Sequence, residues 1–132
     1  ALGLQECFTH GDAYPNNALV KEKSLRWFDW SEAGFAHPFL DVGWFLAWTF
    51  LPKRDLSFTN TSDIASRFWT HYLKARDIKD ASVTPLEAMR LALLHRTLVY
   101  HEKFHDWHGA ISTTRPQYVP YFLRLLLKTN TL

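Results

Sequence analysis

Several familiar kinds of protein are excluded by what this sequence has little of. It holds a single cysteine, Cys7, so no internal disulfide can form, and a reducing compartment is expected. Its five glycines, Gly3, Gly11, Gly34, Gly43 and Gly109, never gather into a glycine-rich stretch of the kind that covers nucleotide phosphates. No run approaches the roughly 20 apolar residues of a spanning helix. The most apolar stretch, 44–51, stops at Pro52, Lys53 and Arg54. No basic segment followed by an apolar run and a small-residue cleavage site opens the chain, so no signal peptide is expected. An excess of one charge is missing too. Fifteen Lys and Arg face thirteen Asp and Glu, and the basic residues are scattered. This balance gives nucleic-acid binding no support. The expectation is a cytoplasmic protein without nucleic-acid or membrane partners.

What the sequence does have is apolar and aromatic side chains, 47% and 16% of its 132 residues, enough for the buried core of one domain. The first 37 residues read as strand and loop and the rest as helix, so the expected fold class is mainly α with a small β-hairpin. Ala18-Leu19-Val20 and Leu25-Arg26-Trp27-Phe28 flank the charged turn Lys21-Glu22-Lys23-Ser24, which predicts the hairpin. Residues 4–9 form a short strand before it. Apolar residues at helical spacing, ended by Pro52, predict a helix over about 38–51. A second is predicted from Thr61 or Ser62 to near Asp77. The third has the clearest start, with Thr84 as N-cap, Pro85 in the first helical position and Glu87 closing a capping box. It should reach about Trp107, with Gly109 as terminator, and a last helix should begin near Tyr118.

The chemistry concentrates in the first part of the chain. Phosphoryl transfer needs a carboxylate to accept a hydrogen bond from the attacking hydroxyl and two oxygen ligands to hold Mg²⁺ on the phosphates. Asp12, Asn17 and Asp29 supply that set. In the loop from His10 to Asn17 an Asp is followed by an Asn five positions later, the spacing of a kinase catalytic loop, and the hairpin then returns the chain to Asp29.

Three ordered motifs make the pattern specific: His10-Gly11-Asp12 with Pro15 and Asn17, then Phe28-Asp29-Trp30-Ser31-Glu32-Ala33-Gly34, then His37-Pro38-Phe39-Leu40-Asp41. Together they resemble the aminoglycoside phosphotransferase and choline kinase family. The resemblance implies the C-lobe of a protein-kinase-like fold, with ATP and Mg²⁺ as cofactors and a small-molecule hydroxyl as acceptor. By the same resemblance Asp12 is the catalytic base, Asn17 and Asp29 are the metal ligands, His10 braces the loop, and Asp41 ties the next helix back to it. Tyr14 stands where the family often has His. Asn16 replaces the usual Gly before the metal-binding Asn, and Asn tolerates the left-handed backbone that Gly would adopt there.

The lobe that would carry a phosphate-covering loop and an ATP-binding lysine has no counterpart in these residues. The expectation is therefore one partial domain, 1–37 with the catalytic loop and hairpin and 38–132 helical, inactive alone. Apolar surface at Phe8, Val20, Trp27 and Phe28 would favour self-association. A non-catalytic kinase-like scaffold or binding module is the rival reading.

Three other features carry less. His101-Glu102-Lys103-Phe104-His105 spells the H-E-x-x-H of zinc peptidases, yet residues 109–132 offer no His, Asp, Glu or Cys as a third ligand. A surface helix explains it better. Glu32 reads as a solvated loop carboxylate rather than a metal ligand. The six tryptophans suit core packing more than a cage for a quaternary ammonium group, with only Trp30 and Trp107 given access to a cleft.

Overall fold

The computed structural model describes residues 4–50, 58–79, 82–104 and 118–129. In chain order they form strand β1 (Cys7–Thr9), a 3₁₀ turn (Pro15–Asn17), β2 (Ala18–Lys21), β3 (Ser24–Trp27), β4 (Gly34–Ala36), and helices α1 (Phe39–Phe50), α2 (Phe58–Ala75), α3 (Pro85–Phe104) and α4 (Tyr118–Lys128). The described chain is thus mainly helical with two small antiparallel sheets. None of its described helices is long and apolar enough to cross a membrane.

The hairpin forms as β2 and β3, with Lys21 paired to Ser24 and Glu22 taking φ 57° in the turn. A second sheet joins β1 to β4, pairing Cys7 with Ala36 and Thr9 with Gly34. The strand expected within 4–9 forms as β1, whereas its partner β4 and their pairing are a correction, since the hairpin is the one pairing expected. Its consequence is positional. Because Thr9 lies opposite Gly34, the loop after β1 and the loop before β4 leave the sheet side by side.

Helix α3 starts where its signals place it. The Thr84 backbone N–H donates to Glu87 Oε2 (2.7 Å) while Glu87 N–H donates to Thr84 Oγ1 (3.2 Å), a reciprocal capping box. Those bonds hold the Glu87 carboxyl below its ordinary range, the one from the Thr84 backbone foremost. The expected end of α3 at Trp107 and Gly109 lies outside the described residues. Helix α2 begins three residues before the predicted Thr61, at Phe58. Tyr72 fixes it to the start of α1 by donating its hydroxyl to the Pro38 carbonyl. Burial pushes that phenol up to about 12.

The core lies between α1 and α3, with Phe39, Val42, Leu46 and Ala47 facing Ala88, Met89, Ala92 and Leu93, closed by Trp69 of α2 and by Phe122 and Leu125 of α4. These positions repeat at three to four residues along each helix, as one buried stripe requires. The two helices touch through small residues. A Cβ added at Gly43 would stand 2.0 Å from the Ala88 carbonyl oxygen and 3.1 Å from Ala92 Cβ. Backbone on both sides leaves no flexible tip to give way. Gly43→Ala should therefore force α1 and α3 apart and destabilise the fold by about 1–3 kcal/mol or more. Thermal or denaturant unfolding measures it, and an unchanged midpoint would mean that the helices separate without loss of packing.

Candidate active site

The loop after β1 is braced from three sides. Asp41, in the first turn of α1, accepts the backbone N–H groups of His10 (2.6 Å) and Gly11 (3.0 Å). Gly11 has φ 80°, and a Cβ there would sit 2.0 Å from the Glu32 carbonyl oxygen, so only glycine lets the two loops touch. The His10 ring spans the same gap. Asp12 N–H donates to Nδ1 (3.3 Å), so Nε2 carries the proton and donates it to the Phe28 carbonyl (2.9 Å). Phe28 N–H in turn donates to the Asn17 carbonyl (3.0 Å), which brings the residue before Asp29 against Asn17.

Asp12 and Asn17 are in direct contact. The Asn17 amide donates to both the carbonyl and Oδ2 of Asp12, each at 3.1 Å. Asp29 stands at φ 59°, its Oδ1 accepting the Ser31 hydroxyl (2.8 Å). Burial first, then the charges of both Asp12 and Asp29, raises the Tyr14 phenol above its ordinary value, so both carboxylates act on this hydroxyl. Among the described residues no group of three or more His, Cys, Asp or Glu gathers as a metal cage.

The left-handed backbone falls at Gly11 and Asp29 rather than at Asn16. Asn16 instead sits inside the 3₁₀ turn that Pro15 starts, so no glycine is needed before Asn17. This corrects the reading of that substitution.

Arg96, from the middle of α3, is a functional candidate that the motifs do not contain. It is 2% exposed, and its guanidinium donates to Asp12 Oδ1 through one nitrogen and to Glu32 Oε2 through another. Trp44 of α1 donates its Nε1–H to the same Asp12 Oδ1 (2.8 Å). The guanidinium carbon lies 4.7 Å from the Trp44 ring centre and 5.6 Å from that of Tyr100. Lys103 completes the network on Glu32 Oε1 (2.8 Å). Two cations thus balance two carboxylates. Burial raises the Glu32 carboxyl, but the hydrogen bond from Lys103 and the Arg96 charge outweigh it, and the carboxyl ends below its ordinary range. Glu32 is therefore a partner of α3 and not the solvated carboxylate expected. One signal for Arg96 was available in sequence: it continues the buried stripe of Ala88, Ala92 and Leu93, where a charge is costly unless paired.

Other expectations change as well. Trp27 packs inward against His10 (5.5 Å) and Phe45 (6.2 Å), whereas Phe8, Val20 and Phe28 are exposed. Trp44 and Trp48, assigned by spacing to the core, also line a cavity of about 220 Å³ beside Asp12. Trp107, His105 and His108 lie outside the described residues; His101, Glu102 and Lys103 are in the last turn of α3.

A family model described as "Phosphotransferase enzyme family" matches residues 1–81. The chain belongs to the phosphotransferase enzyme family. No curated protein and no solved structure matches it. The matched segment holds His10, Asp12, Asn17, Asp29 and Asp41, so the family signal and the braced loop coincide. Arg96 and Lys103 lie beyond it, on the helix that closes the site from behind.

Proposed function

We propose that this phosphotransferase moves the γ-phosphoryl group of ATP to a hydroxyl of a small molecule, and that these residues are the catalytic part of its C-lobe. The supporting observation is the Asp12 carboxylate, held by Trp44, Arg96 and Asn17 at the edge of a cavity in a loop of phosphotransferase-family sequence. Oδ1 takes two donors; Oδ2 takes one from Asn17 and keeps acceptor capacity for a substrate hydroxyl. Asp12 orients that hydroxyl and accepts its proton.

The donor set suits Mg²⁺. Asn17 spends its NH₂ on Asp12, which leaves its amide oxygen, and Ser31 occupies one oxygen of Asp29, which leaves the other. Hard oxygen donors in small number would suit Mg²⁺, which takes few ligands from the protein. The chemistry a bound Mg²⁺ supplies is neutralisation of charge on the phosphates. Asn17 and Asp29 would hold it, and His10 and Asp41 would fix the loop on which Asn17 rides. The glycine-rich loop and lysine for ATP we place in a lobe outside residues 1–132, and the exposed Phe8, Val20 and Phe28 are then candidates to pack against it or a second copy.

A Mg²⁺ titration of the complete enzyme tests the metal assignment. Asp29→Asn should raise the Mg²⁺ needed for half-maximal transfer by roughly tenfold or more and weaken nucleotide binding. An unchanged Mg²⁺ dependence would remove Asp29 from that role. One observation favours the scaffold reading instead: Arg96 already neutralises Asp12. A complete protein that binds no nucleotide would decide for the scaffold.

A further inference from the structure

The cavity beside Asp12 has walls that say what its occupant is made of. Its volume of about 220 Å³ is below the roughly 300–1,000 Å³ of pockets for drug-sized ligands, so the occupant is small. Aromatic rings make up most of its lining, Tyr14, Trp44, Trp48, Tyr100, Tyr118 and Phe122, and Asp12, Pro15 and Asn16 complete it. Tyr14 and Trp48 lie 5.4 Å apart at 30°, and Tyr100 meets Tyr118 edge-on at 5.3 Å. Such an arrangement offers ring faces and edges for offset or perpendicular contact with a flat body.

Aromatic walls alone would equally invite a cation. The charges around them do not. Arg96 already lies over the Trp44 and Tyr100 rings, so a ligand cation on those rings would face a buried positive charge through them. Asp12, the one carboxylate among the described lining residues, is paired with that same arginine.

We infer that this cavity is the acceptor pocket and takes a small, uncharged alcohol with a flat apolar body, its hydroxyl directed at Asp12. The inference rests on the phosphotransfer reading and narrows it, since polycationic acceptors and small quaternary ammonium alcohols are both disfavoured. The hydroxyl meets Asp12 Oδ2, and the ring of the substrate lies against Trp48 and Tyr118, whose partial exposure leaves them open to a ligand.

Binding and transfer are measured separately. Calorimetry and ligand-observed NMR on the protein compare 2-phenylethanol, choline and kanamycin, with Trp48→Ala and Trp48→Phe as variants and circular dichroism as the check on folding. The expected result is saturable binding of 2-phenylethanol, weakened by roughly tenfold in Trp48→Ala and retained in Trp48→Phe, with choline and kanamycin weaker than the neutral alcohol. Tighter binding of choline or kanamycin, no binding of 2-phenylethanol, or equal binding to folded Trp48→Ala would overturn the inference. Transfer from ATP in the complete enzyme then tells the two readings apart. Neutral alcohols that bind at Trp48 without being phosphorylated would overturn the phosphotransfer reading and leave the pocket; phosphorylation of cationic acceptors alone would overturn the pocket assignment and leave the reaction.

Discussion

Asp12→Asn should abolish phosphoryl transfer while nucleotide and Mg²⁺ still bind. The substitution preserves shape, and its amide oxygen can keep the contacts that Trp44 Nε1 and Arg96 make with Oδ1. What it removes is the basic oxygen. An NH₂ at the place of Oδ2 can neither accept the acceptor proton nor receive the Asn17 amide. Asn17 stays anchored regardless, because its NH₂ also donates to the Asp12 backbone carbonyl (3.1 Å). The residues proposed to hold the metal therefore keep their places. A positioned general base contributes roughly a hundredfold to ten-thousandfold to rate, and kcat should fall by that much while the nucleotide dissociation constant and the Mg²⁺ midpoint move little. Steady-state kinetics with equilibrium nucleotide binding separates the two effects. Turnover near wild type would take Asp12 out of the reaction, and a parallel loss of nucleotide binding would make it a ligand-binding residue instead.

How much of this site could be read beforehand depends on the separation of the parts. Asp12 and Asn17 are five residues apart and joined by one turn, so their contact is local and their spacing alone exposes it. Thr84 and Glu87 are three apart, and the start of α3 is equally plain. The β1–β4 sheet was not legible, because Cys7-Phe8-Thr9 and Gly34-Phe35-Ala36 are three-residue strands without a shared turn. Their partnership is set by packing across the whole of 10–33. Arg96 was less legible still: it meets Asp12 across 84 residues and Glu32 across 64. Nothing local to α3 specifies those partners. They follow from the close approach of α1 to α3 at Gly43, which aims one turn of α3 at the loop. Trp44 shows the same effect in one side chain, since its helical spacing places it in the core but cannot reveal that its N–H reaches Asp12.

Arg96→Met should cost about 3 kcal/mol of stability, at the low end of the roughly 3–5 kcal/mol found when one partner of a buried ion pair is removed. The low end applies because Asp12 and Glu32 are 22% and 23% exposed, so water can take over part of their solvation, whereas Arg96 itself is 2% exposed. Arg96→Lys should recover only part of the loss, since one ammonium cannot span two carboxylates as a planar fork does. Adding Glu32→Gln to Arg96→Met should restore part of that stability, because it removes one of the two carboxylates that have lost the guanidinium, the one that Lys103 alone still holds. The pH dependence gives an independent reading. The Glu32 carboxyl is held below its ordinary 4.5 in the fold. Its stabilising share is therefore present above 4.5 and lost as pH falls through the lower folded value. Wild-type stability should accordingly fall more steeply in acid than that of Glu32→Gln. Denaturant unfolding at neutral and acid pH provides all four comparisons. If Arg96→Met unfolds within about 1 kcal/mol of wild type, as exposed ion pairs do, the network is a surface decoration; a loss near 3 kcal/mol that Glu32→Gln partly reverses makes Arg96 the residue that holds both loops of the site on α3.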